Sequence, residues 1–146
     1  MHDLATPDAG PDLIREWIDC AARLYPDKPY VVSVEDGRAI TFGEFARLVR
    51  RLESFLDRAG VGTNDRIALL AGNSIEHVVC YVGVMAYGAT ICTVHVEMNR
   101  HHLGRILAQL KARLALYDDD HLPDDVPDGT PCLRLDHWDE IGRAHV

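Results

Sequence analysis

Three short, almost wholly apolar runs constrain this chain more than anything else in it: "RIALLAG" from Arg66, "ATICTV" from Ala89 and "RLALYD" from Arg113. A strand that is apolar on both sides has no solvent face, so it belongs in the middle of a covered sheet. The segments between these runs read as helices. "NSIEHVVCYVGVMAYG" is a continuous apolar helix opened by Asn73 or Ser74, and "NRHHLGRILAQLKA" is one opened by Asn99, both with side chains that cap free N–H groups. Buried strands joined by single helices make βαβ units, whose crossovers are right-handed and whose strands are parallel. The fold class expected is therefore α/β, with βαβ units and a mainly parallel sheet. "CLRLD" at 132–136 offers one more strand after an acidic, Pro-rich surface loop at 118–131.

The first sixty residues follow a different plan. "PDLIREWIDCAARLYP" sets Leu13, Ile14, Trp17, Ile18, Ala21, Leu24 and Tyr25 at helical spacing and stops at Pro26, which predicts a one-sided amphipathic helix. In "PYVVSVEDGRAIT" two β segments flank Glu35-Asp36-Gly37, where Asp-Gly supplies positive φ, so an antiparallel hairpin is expected. Thr41 and Glu44 then form a capping box at the head of a helix. Its apolar stripe is Phe42, Phe45, Leu48, Val49, Leu52, Phe55 and Leu56, and Gly60 ends it.

Length and charge exclude several function classes. With 146 residues the chain has the size of one domain, able to bury about 68–70% of its extended surface, and one core is expected. Its net charge of −8, with acidic residues crowded into "DDDHLPDDVPDG" at 118–129, leaves no basic face for a phosphate backbone. Nucleic acid is therefore not an expected partner. The opening "MHDLATPDAGPD" has neither a basic region nor an apolar one, and no apolar run approaches the roughly 18 residues of a membrane span. The expected location is the cytoplasm. The widely spaced Cys20, Cys80, Cys92 and Cys132, three of them within apolar patterns, read as buried free thiols rather than a disulfide framework.

Ligands of open α/β sheets gather beyond the C-terminal ends of the strands, here Ala71–Ser74, Val94–Asn99 and Tyr117–Asp120. None of these ends carries G-x-G-x-x-G or G-x-x-x-x-G-K-[ST], so no dinucleotide fingerprint or Walker loop is present. Asp118, Asp119 and Asp120 offer hard oxygen ligands for a cation such as magnesium, but such a run is read first as the solvated start of a loop. His77, Cys80, Cys92 and His95 are in principle four zinc ligands. They lack the C-x₂₋₄-C spacing, and a core-thiol reading is preferred; His101 and His102 read as surface. No nucleophile elbow is visible.

Taken in order, the segments from about Leu13 to Asp119 resemble the N-terminal part of the AMP-forming acyl-CoA synthetases. This family sits in the adenylate-forming superfamily with luciferases and peptide-synthetase adenylation domains. "ARLYPDKPYVV" is similar to the family's A-x-x-x-P-D-K-P-A. The stretch from "ITFGEFARLVRRLESFLDRAGVGTNDRIALL" through "AGNSIEHVVCYVGVMAYGATICTV" is similar to its L-T-Y-x-E-L helix, G-V-x-x-G-D-R-V-A strand, N-S-x-E helix and K-A-G-A strand. The resemblance implies an incomplete N-terminal part of a larger adenylate-forming domain. The parent would activate a carboxylic acid with ATP and Mg2+, release pyrophosphate, and pass the acyl-adenylate to the thiol of CoA, with charge on the transferring phosphate met by preorganised groups.

The family's T-S-G-T-T-G-x-P-K-G loop, adenine-binding aromatic motif, ribose-binding aspartate, hinge and C-terminal lysine belong to later sequence. No catalytic, cofactor-binding or metal-binding residue is therefore carried over, and no cofactor is expected for this segment alone. His95-Val96-Glu97-Met98 stands where many relatives have N-P-R-L, with Glu97 in the arginine's place, and Ala86-Tyr87-Gly88-Ala89 replaces K-A-G-A.

The final "EIGRAHV" back-translates as GAG ATC GGA AGA GCA CAC GTC, the reading of a widely used sequencing-library adapter. The expected organisation is thus a flexible N-terminus at 1–11, a partial N-terminal subdomain at 12–139 and a non-native tail at 140–146. Two functions compete: a fragment of an acid–CoA ligase, inactive alone, or a free-standing non-catalytic binding module of the same fold.

Overall fold

In the computed structural model, which describes residues 13–118, 126–127 and 129–135, the three apolar runs are adjacent strands of one sheet. β3 (Arg66–Leu70), β4 (Thr90–Thr93), β5 (Leu114–Tyr117) and β6 (Cys132–Arg134) lie in the order β4-β3-β5-β6, and every pairing is parallel. α3 (Ile75–Tyr87) joins β3 to β4 and α4 (Arg100–Leu110) joins β4 to β5, which gives the expected βαβ units. Ahead of them stand α1 (Ile14–Leu24), the antiparallel hairpin β1 (Pro29–Val32) and β2 (Ala39–Thr41), and α2 (Phe42–Arg58). "CLRLD" does supply a fourth strand. The loop expected at 118–131 falls mostly outside the described residues, as do Asp119, Asp120 and the segments 1–11 and 136–146.

The single core expected from length is two apolar layers, because the period of two in each strand sends alternate residues to opposite faces. Ile67, Leu69, Leu114, Leu116 and Leu133 meet α2 and α3. Ala68, Leu70 and Ala115 meet Leu107 of α4 and Val94 on the other face. The small side chains on that second face let α4 lie close to the sheet. Described buried residues are all apolar, and no buried side-chain N or O among the described residues lacks a partner.

Helix ends follow the local chemistry. At α2, Glu44 N–H donates to Thr41 Oγ1 at 3.1 Å and Thr41 N–H donates to Glu44 Oε2 at 3.2 Å, completing the capping box. At its other end Gly60 has φ +75°, a conformation that costs an L side chain energy. Gly60 N–H donates to Asp57 O at 3.1 Å and Val61 N–H to Leu56 O at 3.0 Å, a Schellman closure with Val61 packed in the same core as Leu56.

Not every expectation about side chains holds. Of the four cysteines, all free, only Cys80 is buried; Cys20 and Cys92 are half-buried and Cys132 is exposed. Cys92 and Cys132 sit on the two outer strands of the sheet, each of which has a strand neighbour on one side only among the described residues. α1 forms as expected, yet none of its residues is buried.

Candidate functional site

All four strands of the sheet run the same way, so the segments following β3, β4 and β5 collect along one edge, where α/β proteins place ligands. The register sets Leu70 beside Tyr117, which brings the residues after each into contact. Gly72 N–H donates to Asp118 Oδ2 at 2.8 Å. On the other side of the same residue, Gly72 O lies 3.1 Å from His77 Nδ1, within hydrogen-bond reach. The turn between β3 and α3 is thus held at one glycine by two side chains from different elements.

Each of the two helix N-termini at this edge is capped by one side chain of its own chain. Ser74 Oγ accepts from His77 N–H at 3.0 Å at the head of α3, and Asn99 Oδ1 accepts from His101 N–H at 2.8 Å at the head of α4. Helix N-termini bind phosphates through free N–H groups. Each cap uses one N–H of its helix head, and no glycine-rich loop stands between strand and helix at this edge. In the segment that replaces N-P-R-L, Glu97 N–H donates to His95 Nδ1 at 3.3 Å and Met98 N–H to His95 O at 3.2 Å, forming a self-contained turn with Glu97 exposed.

A groove of about 380 Å³ opens between the hairpin and the head of α3, lined by Val31 to Glu35, Asn73 to Ile75, His77 and Val78. An ion pair of 2.6 Å between Arg38 and Glu76 fastens its two walls together. The same Glu76 hydrogen bond raises the Arg38 guanidinium above its ordinary value. On the hairpin, hydrogen bonds from the Ser33 side chain and the Arg38 backbone hold the exposed Asp36 carboxyl below the usual carboxylate range.

The zinc candidates do not assemble, and of the three cation candidates only Asp118 lies within the described residues. Asp118 is engaged by Gly72, His77 stacks beside Tyr81 with ring centres 6.5 Å apart, and Cys80 points into the core. Among the described residues no group of three or more His, Cys, Asp or Glu side chains is arranged to hold a metal ion. Two tethers escape sequence reasoning. One is the Asp118 bond. The other runs from the Tyr87 hydroxyl, which donates to Val61 O and ties the end of α3 to the turn after α2. Their partners lie far away in sequence, so neither leaves a local motif.

Burial pushes the Cys80 thiol from about 9 up to about 12. Between those values the folded chain keeps a proton that the unfolded chain gives up, so stability must fall as pH rises through that window. Cys80→Val is therefore expected to flatten the alkaline limb of a stability–pH curve measured by urea unfolding between pH 8 and 11, while leaving stability below pH 8 without that pH dependence. An unchanged alkaline limb in the variant would show that the thiol is not its source.

Comparisons with known proteins extend across most of the chain. The family model described as AMP-binding enzyme matches residues 18–143. A long-chain-fatty-acid–CoA ligase of Thermus thermophilus is 29% identical over 110 residues, spanning 74% of this chain and 20% of that protein. The 4-coumarate–CoA ligase 2 of Oryza sativa subsp. japonica is 34% identical over 118 residues, spanning 75% of this chain and 20% of its own. In fold, the N-terminal domain of FACL13 from Mycobacterium tuberculosis superimposes with a TM-score of 0.80 at 20% identity, covering 92% of this chain and 36% of that domain. The chain spans about a fifth of the length of the curated relatives it matches. No described helix is long and apolar enough to cross a membrane. The chain belongs to the AMP-binding enzyme family, and the part of that family it matches is the N-terminal part of an adenylate-forming enzyme.

Proposed function

We propose that this chain is the N-terminal scaffold of a cytoplasmic acid–CoA ligase. The whole enzyme activates a carboxylic acid with ATP and Mg2+ as an acyl-adenylate and transfers the acyl group to CoA. The observation that carries the reading is the family match over residues 18–143, on a chain that spans only a fifth of relatives whose names denote CoA ligases. The lack of a dinucleotide fingerprint or Walker loop in this sequence agrees with a division of labour. This segment supplies strands and helices, while the groups that meet the nucleotide's charge come from later sequence.

Reading the gene past codon 139 with a different library chemistry tests both this proposal and the origin of residues 140–146. The expected result is an in-frame Gly-, Ser- and Thr-rich phosphate loop, with the codons for "EIGRAHV" absent. The full-length product is expected to release pyrophosphate from ATP only when a carboxylic acid is supplied, and the 146-residue chain to release none. A locus without that loop overturns the proposal.

A further inference from the structure

Asp36 and Gly37 carry a chemistry that the ligase reading does not use. In an Asp-Gly pair the glycine amide nitrogen can attack the aspartate Cγ, because the glycine has no side chain to shield that nitrogen. The N–Cγ bond forms, the Cγ–O bond breaks, and the carboxyl hydroxyl leaves as water with the amide proton. A second water then opens the five-membered imide at the former backbone carbonyl, breaking its C–N bond. The product is isoaspartate, whose main chain runs through Cβ and Cγ; the atoms balance without an oxidant or reductant. The sequence holds two such pairs, Asp36-Gly37 and Asp128-Gly129. The first lies at the exposed tip of the hairpin, where nothing stands within 4 Å of a Cβ built on Gly37.

The folded hairpin opposes both requirements of the attack. The nitrogen must give up its proton and face Cγ, yet Gly37 N–H donates to Ser33 O at 3.0 Å. The carboxyl must be neutral for its hydroxyl to leave, yet Arg38 N–H donates to Asp36 Oδ1 at 3.0 Å and the Ser33 side chain bonds the same carboxylate, which keeps it ionised. Reaction therefore requires the tip to open locally. What holds the tip closed reaches it from another element. Arg38 Nε lies 3.9 Å from Asp36 Oδ2, and Arg38 Nη2 donates to Glu76 Oε1 of α3 at 2.6 Å. Ser33 N–H donates to Arg38 O at 2.7 Å, so the residue gripped by Glu76 also closes the loop.

We propose that Asp36-Gly37 is an isoaspartate-forming site whose rate is set by the ion pair between Arg38 and Glu76, so that a side chain of α3 guards a dipeptide in the hairpin. Isomerisation adds one carbon to the main chain between Ser33 and Arg38. That shifts Arg38 out of register with Asp36 and Glu76, and loosens the hairpin wall of the groove beside the head of α3. The site belongs to the hairpin itself and does not depend on the ligase reading.

The test incubates the 146-residue chain at neutral pH and quantifies isoaspartate at positions 36 and 128 by peptide mapping with mass spectrometry. In Glu76→Gln, formation at Asp36 is expected to rise about two- to fivefold, the scale of a partly exposed ion pair, while Asp128 keeps its rate. Arg38→Ala acts through the same pair, so combining it with Glu76→Gln should give less than the product of the two separate effects. A free peptide of residues 29–41, with no α3 to hold it, should isomerise faster than the chain. In the parent protein, raising salt from about 0.05 to about 1 M screens the pair and is expected to speed Asp36 but not Asp128.

An Asp36 rate that Glu76→Gln leaves unchanged overturns the proposal. So does a parent chain that isomerises at Asp36 as fast as the free peptide. Should Glu76→Gln speed both sites alike, the variant has opened the whole chain and the salt series on the parent protein decides: equal response at Asp36 and Asp128, or none at either, overturns the guard, and acceleration at Asp36 alone upholds it.

Discussion

Leu52→Ala is expected to lower the unfolding free energy by about 2–5 kcal/mol, the range for a fully buried leucine whose cavity collapses only in part. Leu52 is 1% exposed, in the layer where α2 crosses α3, and faces Gly83 of the other helix. A Cβ built on Gly83 would lie 2.7 Å from Leu52 Cδ2, closer than real carbons approach. The methyl group could yield if Leu52 were free to turn, but Phe45, Val49 and Val79 of the same core are equally buried.

Gly83→Ala therefore sets two effects against each other. Alanine gains about 1 kcal/mol of helix propensity, while overpacking costs typically about 1–3 kcal/mol. The single variant is expected to be less stable than the parent. In a Leu52→Ala background the obstruction is gone, and the same Gly83→Ala change is expected to stabilise by close to the propensity gain. Urea unfolding of the four proteins measures the coupling directly. If Gly83→Ala has the same effect in both backgrounds, Leu52 is not what keeps this position a glycine.

Much of the fold was legible because its signals are local. The capping box of Thr41 and Glu44, the Asp-Gly turn at Gly37, the terminating Gly60 and the apolar β3, β4 and β5 each depend on residues within a few positions of one another, and each appears in the structure. Features set by remote partners were not legible. Leucine at 52 and glycine at 83 read as a stripe member and an ordinary helix residue; only the crossing of α2 over α3 makes them a pair. The exposed stripe of α1 misled in the opposite direction. A strong helical period announces burial, yet no residue of α1 is fully buried and only its inner side, at Ile18, packs on the core.

The site divides in the same way. Strand ends identify the edge where α/β proteins gather ligands, yet they do not show which side chains, Ser74 and Asn99, cap the two helix heads. Nor does cysteine spacing reveal depth. Cys80 lies on the inner side of α3 and Cys132 on a marginal strand, although both sit among apolar neighbours in sequence. The family resemblance supplied the family that no local motif could, because it draws on the order of many weak segments at once.

Asp118→Ala is expected to destabilise the fold by about 1.5–3 kcal/mol, the usual scale for a hydrogen bond to a charged acceptor in a half-buried setting. The carboxylate is more than a surface charge, because its Oδ2 receives the Gly72 N–H at 2.8 Å across 46 positions of sequence. Loss of the acceptor leaves that N–H at the mouth of the β3–α3 turn with only water to receive it, and leaves His77 as the side-chain hold on Gly72. The local effect should exceed the global one. Gly72 amide hydrogen exchange is expected to speed up markedly while Leu69 and Leu116, in the centre of the sheet, keep their protection relative to global unfolding. Asp118→Asn retains an oxygen acceptor of nearly the same shape without the charge, so it should recover part of the loss and leave the charge-assisted share missing. Equal damage from alanine and asparagine would place the importance of Asp118 in its charge. Unchanged exchange at Gly72 in the alanine variant would remove the tether from the account of how this edge is held.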